Sequence, residues 1–132
     1  MLISTKGRYA LRVLIDLAEH SGGEYIPLKD VAQRQQISLK YLEGIMTTLS
    51  KAGMIDGLHG KGGGYRLCKP PEQYYIGDIL KLTDGSLAPV ACLDENAAKC
   101  EKATACKTLP MWKKLDSLLN DFFYSLTIKD LI

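Results

Sequence analysis

At 132 residues the chain is long enough for one domain with appendages and a modest core. Its composition, 46% hydrophobic and 24% charged, is that of an ordinary soluble protein; no apolar run is long enough to span a bilayer, and MLISTKGRYAL lacks a secretory h-region, so a cytoplasmic location without membrane contact is expected. The formal net charge of +2 excludes little, but residues 1–70 carry ten Lys and Arg against six Asp and Glu while residues 71–132 carry seven against nine, which turns the basic N-terminal half toward a polyanionic partner.

From Thr5 to His20, strong helix formers surround one narrow polar stripe of Arg8, Arg12, Asp16 and Glu19, predicting a helix packed on more than one side. Ser21-Gly22-Gly23 ends it. Pro27 opens a short helix with Leu28, Val31 and Ala32 on one face, Ile37 closes a turn, and Ser38 is placed to cap a third helix. There Leu42, Ile45, Met46 and Leu49 form the buried stripe, and Gly53 supplies the stop. Two helices with so short a turn predict a helix-turn-helix. The outer face of the third helix shows Ser38, Lys40, Tyr41, Gly44, Thr47, Thr48 and Lys51, the short, hydroxylated or cationic side chains that a helix entering a major groove requires.

Ile55–Leu58 and Tyr65–Leu67 read as short strands joined by HGKGGG. This hairpin is a candidate wing. Its glycines permit close approach to a sugar-phosphate backbone, and Lys61 and Arg66 supply charge; a mobile hairpin with two solvated cations is the plainer alternative. The glycines are not a nucleotide-binding loop, because Lys61 is followed by Gly62 rather than Ser or Thr, and Tyr65 occupies the last glycine position of a G-x-G-x-x-G pattern.

Pro70 and Pro71 mark a boundary, after which YYIGDILKLTDG predicts a brief helix ended by Gly85. Cys92, Cys100 and Cys106 follow in a C-x7-C-x5-C spacing. In a reducing compartment such crowded thiols are metal ligands or redox sensors rather than disulfides, and thiolates are the preferred ligands of iron-sulfur clusters. Cys68 stands apart and reads as a small semi-buried residue. Thr108 is placed to cap, and Pro110 to enter, a long helix whose Trp112, Leu115, Leu119, Phe122 and Leu126 form a seam for a partner helix. A second apolar face on Met111, Leu118 and Phe123 exceeds what the N-terminal unit can cover, predicting a homodimer. Thr127 caps a short tail.

STKGRYALRVLIDLA, ISLKYLEGIMTTLSKAGMI, GKGGGYRL and the three-cysteine loop before a long helix together resemble the Rrf2 family of bacterial winged helix-turn-helix regulators, over essentially the whole chain. The resemblance implies a mainly α fold with a small β-wing: residues 1–69 form the DNA-binding domain, 70–91 a connecting helix, 92–107 a cysteine effector loop, and 108–132 a dimerisation helix and tail. It implies a dimer on palindromic double-stranded promoter DNA, with contacts from Ser38, Lys40, Tyr41, Glu43, Gly60 and Lys61. Gly44 departs, since relatives often carry a base-reading side chain there. Members of the IscR and NsrR type hold a [2Fe-2S] or [4Fe-4S] cluster on three loop cysteines, matched by Cys92, Cys100 and Cys106; members of the cysteine-metabolism type lack them. Leu109 stands where the IscR type has a histidine, and Arg8 where the NsrR type has an acidic residue. The fourth ligand is therefore open among Asp94, Glu95, Glu101 and a residue of the partner chain.

The leading expectation is a transcription regulator modulated by an iron-sulfur cluster. A metal-free thiol switch is the alternative within that class, and a small iron-sulfur electron carrier the alternative outside it. An enzyme is not expected, because His20 and His59 have no carboxylate or nucleophile at a motif spacing.

Overall fold

The computed structural model describes residues 2–98 and 102–132. The first helix, α1 (Thr5–His20), starts where the Ser4 hydroxyl accepts the Gly7 N–H at 2.9 Å. It is followed by α2 (Leu28–Gln35), α3 (Leu39–Lys51), β1 (Ile55–Leu58), β2 (Gly64–Leu67), α4 (Ile76–Asp84) and α5 (Leu109–Ser125), with single 3-10 turns at Pro71–Gln73, Ala91–Leu93 and Ile128–Leu131. The fold is mainly α with a two-stranded antiparallel wing, as expected. No helix among the described residues is long and apolar enough to cross a membrane.

One core joins these elements. Ala10, Val13, Leu14 and Leu17 of α1 pack with Val31, Ile37 and the Leu42, Ile45, Met46, Leu49 stripe of α3. Tyr74, Ile76, Ile79, Leu80 and Leu87 around α4 belong to the same cluster, as does Ile128 from the tail. Helix α4 thus shares one core with α1, α2 and α3. The tail does more than end the chain: Thr127 and Asp130 form a capping box, and the fully buried Ile128 donates its N–H to the Tyr74 carbonyl at 2.9 Å.

Between α2 and α3 the chain turns through Gln36 in the left-handed region (φ 54°), the one non-glycine with positive φ among the described residues. What holds this turn is a carboxylate. The sequence pattern sets Asp16 in a polar stripe, yet α2 covers it and leaves it 1% exposed, the only buried charged side chain among the described residues. Arg34 clamps it through two bonds, Nε to Oδ2 at 3.0 Å and Nη2 to Oδ1 at 2.7 Å, and Gln35 Nε2 adds a third at 2.9 Å. Arg12 stays at the surface and grips the end of α2 through the Gln35 side chain at 3.1 Å and its carbonyl.

The wing pairs Ile55 with Leu67 through to Leu58 with Gly64. Ile26 extends it by exchanging two 2.8 Å bonds with Tyr65. That bridge explains Gly64: any Cβ there would lie 2.1 Å from the Ile26 carbonyl oxygen. At the base of the wing the buried Tyr74 hydroxyl donates to Met54 O at 2.5 Å and accepts the N–H groups of Cys68 and Lys69 at 3.0 and 3.2 Å.

Burial of Asp16 works to raise its pKa, but the hydrogen bonds from Arg34 and Gln35 and the charges of Arg34 and His20 outweigh it and hold the carboxyl below its usual range. The stabilisation is therefore complete above the unfolded-state value and is lost as pH falls through the lower folded value. Asp16→Asn keeps the shape and removes the charge. With Arg34 a third exposed and partly screened, the expected loss is about 2 kcal/mol at neutral pH, and the variant's stability should fall less steeply into acid than the wild type's, read from urea melts at a series of pH values.

Candidate nucleic-acid interface and cysteine loop

The Ser38 hydroxyl accepts the Tyr41 N–H at 3.2 Å and so caps α3, as its position in the sequence predicts. With Leu42, Ile45, Met46 and Leu49 buried, the helix presents Ser38, Lys40, Tyr41, Glu43, Gly44 and Thr47 to solvent. Thr47 and Thr48 turn their hydroxyls onto the carbonyls of Glu43 and Gly44 at 2.9 and 3.2 Å, which engages groups that the sequence offered for base reading. Tyr41 is held rather than loose: its ring packs edge-on against Tyr9 of α1, centroids 5.7 Å apart, and Arg12 lies 5.0 Å over the other ring.

Lys6 of α1 joins this face. It lines, with Ser38, Lys40, Tyr41, Gly44 and Ile45, an open groove of about 530 Å3. Sequence reasoning passed over Lys6, whose only local signal is its place in the first turn after the Ser4 cap. That turn is fixed from below. Asp84, at the end of α4, accepts the Ser4 N–H at 3.0 Å and the Ser4 hydroxyl, and Gly7 lets α4 come so close that a Cβ would stand 2.9 Å from the Asp84 carboxylate. Burial pushes the Asp84 carboxyl up, but these Ser4 bonds and the Thr83 hydroxyl more than reverse it.

In the wing, Lys61 stands exposed between Gly60 and Gly62, which have φ of 93° and 77°. Arg66 is placed differently from the sequence expectation. Its guanidinium donates to the Gly23 carbonyl at 3.0 Å, pairs with Asp56 at 3.4 Å and lies 4.3 Å over the Tyr25 ring. It is engaged in bracing the wing against the α1–α2 connection.

Cys92 sits exposed in the Ala91–Leu93 turn and Cys106 is half-buried before α5; both are free thiols, as is the exposed Cys68. Cys100 and Glu101 lie outside the described residues. Thr108 occupies the first cap position of α5 but makes no capping bond there; its hydroxyl lies 3.5 Å from Cys106 Sγ instead. That hydroxyl, followed by the backbone N–H groups of Thr108 and Leu109, holds the Cys106 thiol below its ordinary value. The two described carboxylate candidates for a fourth ligand are both engaged. Glu95 accepts from Lys81 Nζ at 3.1 Å, and Asp94 accepts the Asn96 N–H at 3.3 Å. Among the described residues no group of three or more candidate ligands is assembled. Lys81 also lies 5.8 Å from the Tyr124 ring centre, and the Tyr124 hydroxyl donates to Asp78 at 3.0 Å, so the loop, α4 and α5 meet at this one lysine.

On α5 the expected seam divides. Leu115 and Phe122 are exposed, 36% and 57%, in one row with Met111 and Leu118 at 54% and 58%. Trp112, Leu119 and Leu126 are half-buried, and Leu126 packs on the core beside Phe123 and Tyr124. No residue of α5 is fully buried.

The sequence profile of the Rrf2 family, described as iron-dependent transcriptional regulators, matches residues 3–132. The HTH-type transcriptional regulator IscR of Vibrio campbellii is 36% identical over 132 residues, which cover 100% of this chain and 77% of that protein. Among solved structures, CymR, the global cysteine regulator of B. subtilis, superposes with a TM-score of 0.82 at 33% identity, covering 99% of this chain and 95% of that one. IscR of T. potens gives 0.75 at 30% identity, covering 99% and 85%.

Thr108→Val removes the first of the groups that favour the Cys106 thiolate. In a background with the other three cysteines changed to Ser, alkylation of Cys106 by iodoacetamide near neutral pH should slow about two- to five-fold, followed by mass spectrometry; an unchanged rate would leave the hydroxyl without influence on the thiol.

Proposed function

The chain belongs to the Rrf2 family of transcriptional regulators, and from that premise we propose a cytoplasmic homodimer that binds a palindromic promoter and is modulated by an iron-sulfur cluster on Cys92, Cys100 and Cys106. It is a regulator, as its relatives are named, and not an enzyme. The observation that carries the DNA reading is the open groove in which Lys6 of α1 meets Ser38, Lys40 and Tyr41 of α3. Ser38, Lys40, Tyr41 and Glu43 approach base edges and flanking phosphates, and Gly60 and Lys61 of the wing reach the backbone. Arg66 supports this indirectly by bracing the wing.

The row of Met111, Leu115, Leu118 and Phe122 on α5 supports dimerisation. Its spacing of four, three and four puts these side chains on one face, and apolar residues exposed in such a row are the usual mark of a helix that packs on another copy. Pairing through α5 would set two α3 helices on half-sites about 34 Å apart.

The donor set of the loop suits iron in kind: Cys92 and Cys106 are free, and Cys106 is already biased toward the thiolate that a metal ligand must be. Cys92, Cys100 and Cys106 would hold the cluster, which when bound would supply a centre sensitive to oxidants. The chain's own residues carry the change onward. Lys81 ties Glu95 of the loop to α4, and Asp84 at the end of α4 ties the start of α1, where Lys6 lines the groove. The same biased thiol favours a second reading, a metal-free switch in which loop cysteines are oxidised directly.

Lys61→Ala should weaken binding to all DNA sequences alike and lower the salt dependence of log K by about one unit of slope. Changing Cys92, Cys100 and Cys106 to Ala should preserve the fold and the dimer in sedimentation while shifting operator affinity. Iron and sulfide in anaerobically purified wild-type protein would support the cluster, whereas their absence together with an oxidant-dependent shift in affinity would favour the thiol switch; unchanged affinity of the triple variant would remove the loop from regulation.

A further inference from the structure

Two glycines on the helices that frame the groove stand for different reasons. Gly7 is required by packing, since a Cβ would press on Asp84, Thr83 and Leu80 at 2.9 to 3.3 Å. Gly44 is not. It lies inside α3 with a helical, negative φ, it is exposed, and a Cβ built on it meets nothing within 4 Å among the described residues. An interior helix glycine destabilises the helix relative to alanine, so here the fold loses stability and gains no packing in return.

What the missing side chain leaves is shape. One helical turn before Gly44 stand Lys40 and Tyr41, and together with Lys6, Ser38 and Ile45 they line the groove of about 530 Å3 on the DNA-facing side. Tyr41 cannot readily swing in to fill the space, because its ring is packed on Tyr9. Gly44 has no side chain to donate or accept, and its carbonyl already takes the Thr48 hydroxyl at 3.2 Å. A polar base edge would therefore find little at this position. The apolar feature that the major groove offers is the 5-methyl group of thymine. The two lysines that flank the recess suit the phosphates on either side of such a base.

Resting on the proposed DNA-binding reading and deepening it, we infer that Gly44 is a specificity-determining residue whose recess, beside Lys40 and Tyr41, receives the 5-methyl group of a thymine in each half-site. The residue acts by absence: the methyl occupies the space that a Cβ would take.

The test uses the full-length protein and an operator recovered by selection from random duplex DNA. Each symmetric thymine pair in that operator is replaced in turn by deoxyuridine, which removes the methyl and nothing else. One such replacement should lower wild-type affinity about three- to ten-fold. Gly44→Ala should melt at a higher temperature than the wild type, bind the thymine operator more weakly, and no longer distinguish thymine from deoxyuridine at that pair. If Gly44→Ala keeps the wild-type discrimination, or if no thymine responds to removal of its methyl, the recess does not read DNA. If the wild type selects no sequence at all, it is the DNA-binding reading itself that fails.

Discussion

The buried carboxylate of Asp16 is the constraint on which the arrangement of α1, α2 and α3 depends. An ionised side chain at 1% exposure is tolerated only when its oxygens are filled, and Arg34 and Gln35 fill them from the last turn of α2. Because the clamp is bidentate, it sets orientation as well as distance. Once the end of α2 is fixed, the chain has only Gln36 and Ile37 before the Ser38 cap, and Gln36 turns through a backbone region that non-glycine residues seldom adopt. The position of α3 follows from these few residues. On the outer side Arg12 repeats the grip on Gln35 and leans over Tyr9, which in turn meets Tyr41. A buried charge on α1 is thus linked by contacts to an exposed ring on α3.

The other end of α1 is set by α4. Ser4 and Asp84 join the two helices through a cap and a carboxylate, and Gly7 removes the bulk that would keep them apart. Asp84 immediately precedes Gly85 and the segment that leads to the cysteines, while Lys6 lies within the turn that Ser4 caps. The lower anchor of α4 is firmer: Tyr74 and Ile76 are buried, and the tail bonds to this segment through Leu126 and Ile128. The helix is therefore held in the core at its start and joined to the cysteine loop through Lys81 and Glu95.

Features decided by neighbours in sequence were legible: the limits of α1, the Ser38 cap, the Gly53 stop, the wing and the Thr127 cap depend on local backbone chemistry. Features decided by partners far along the chain were not. The helical stripe that places Asp16 at the surface is correct about its angle on α1; what buries it is a pair of residues eighteen and nineteen positions later. Arg66 looks like a free wing cation until Tyr25 and Asp56 are brought beside it. Thr108 has the right type and position for a cap, yet a thiol two residues earlier competes for its hydroxyl. The three-and-four periodicity of α5 could identify an apolar helix but not divide its residues between the chain's own core and the outward row.

Glycine shows most sharply what such a division requires. In Gly7, Gly44 and Gly64 the sequence offers the same letter, and the residue has no pattern of its own to separate a close helix crossing, a strand edge and an open surface. The distinction lies in what an added methyl would strike: a carboxylate at Gly7, a backbone carbonyl at Gly64, and empty space at Gly44. The first two are explained once the fold is known, since the contacts they permit are there to be seen. Gly44 is explained by no contact among the described residues. An exposed helix position that sacrifices stability without a packing return points outward, to whatever the helix meets, which in the proposed reading is the floor of a DNA groove.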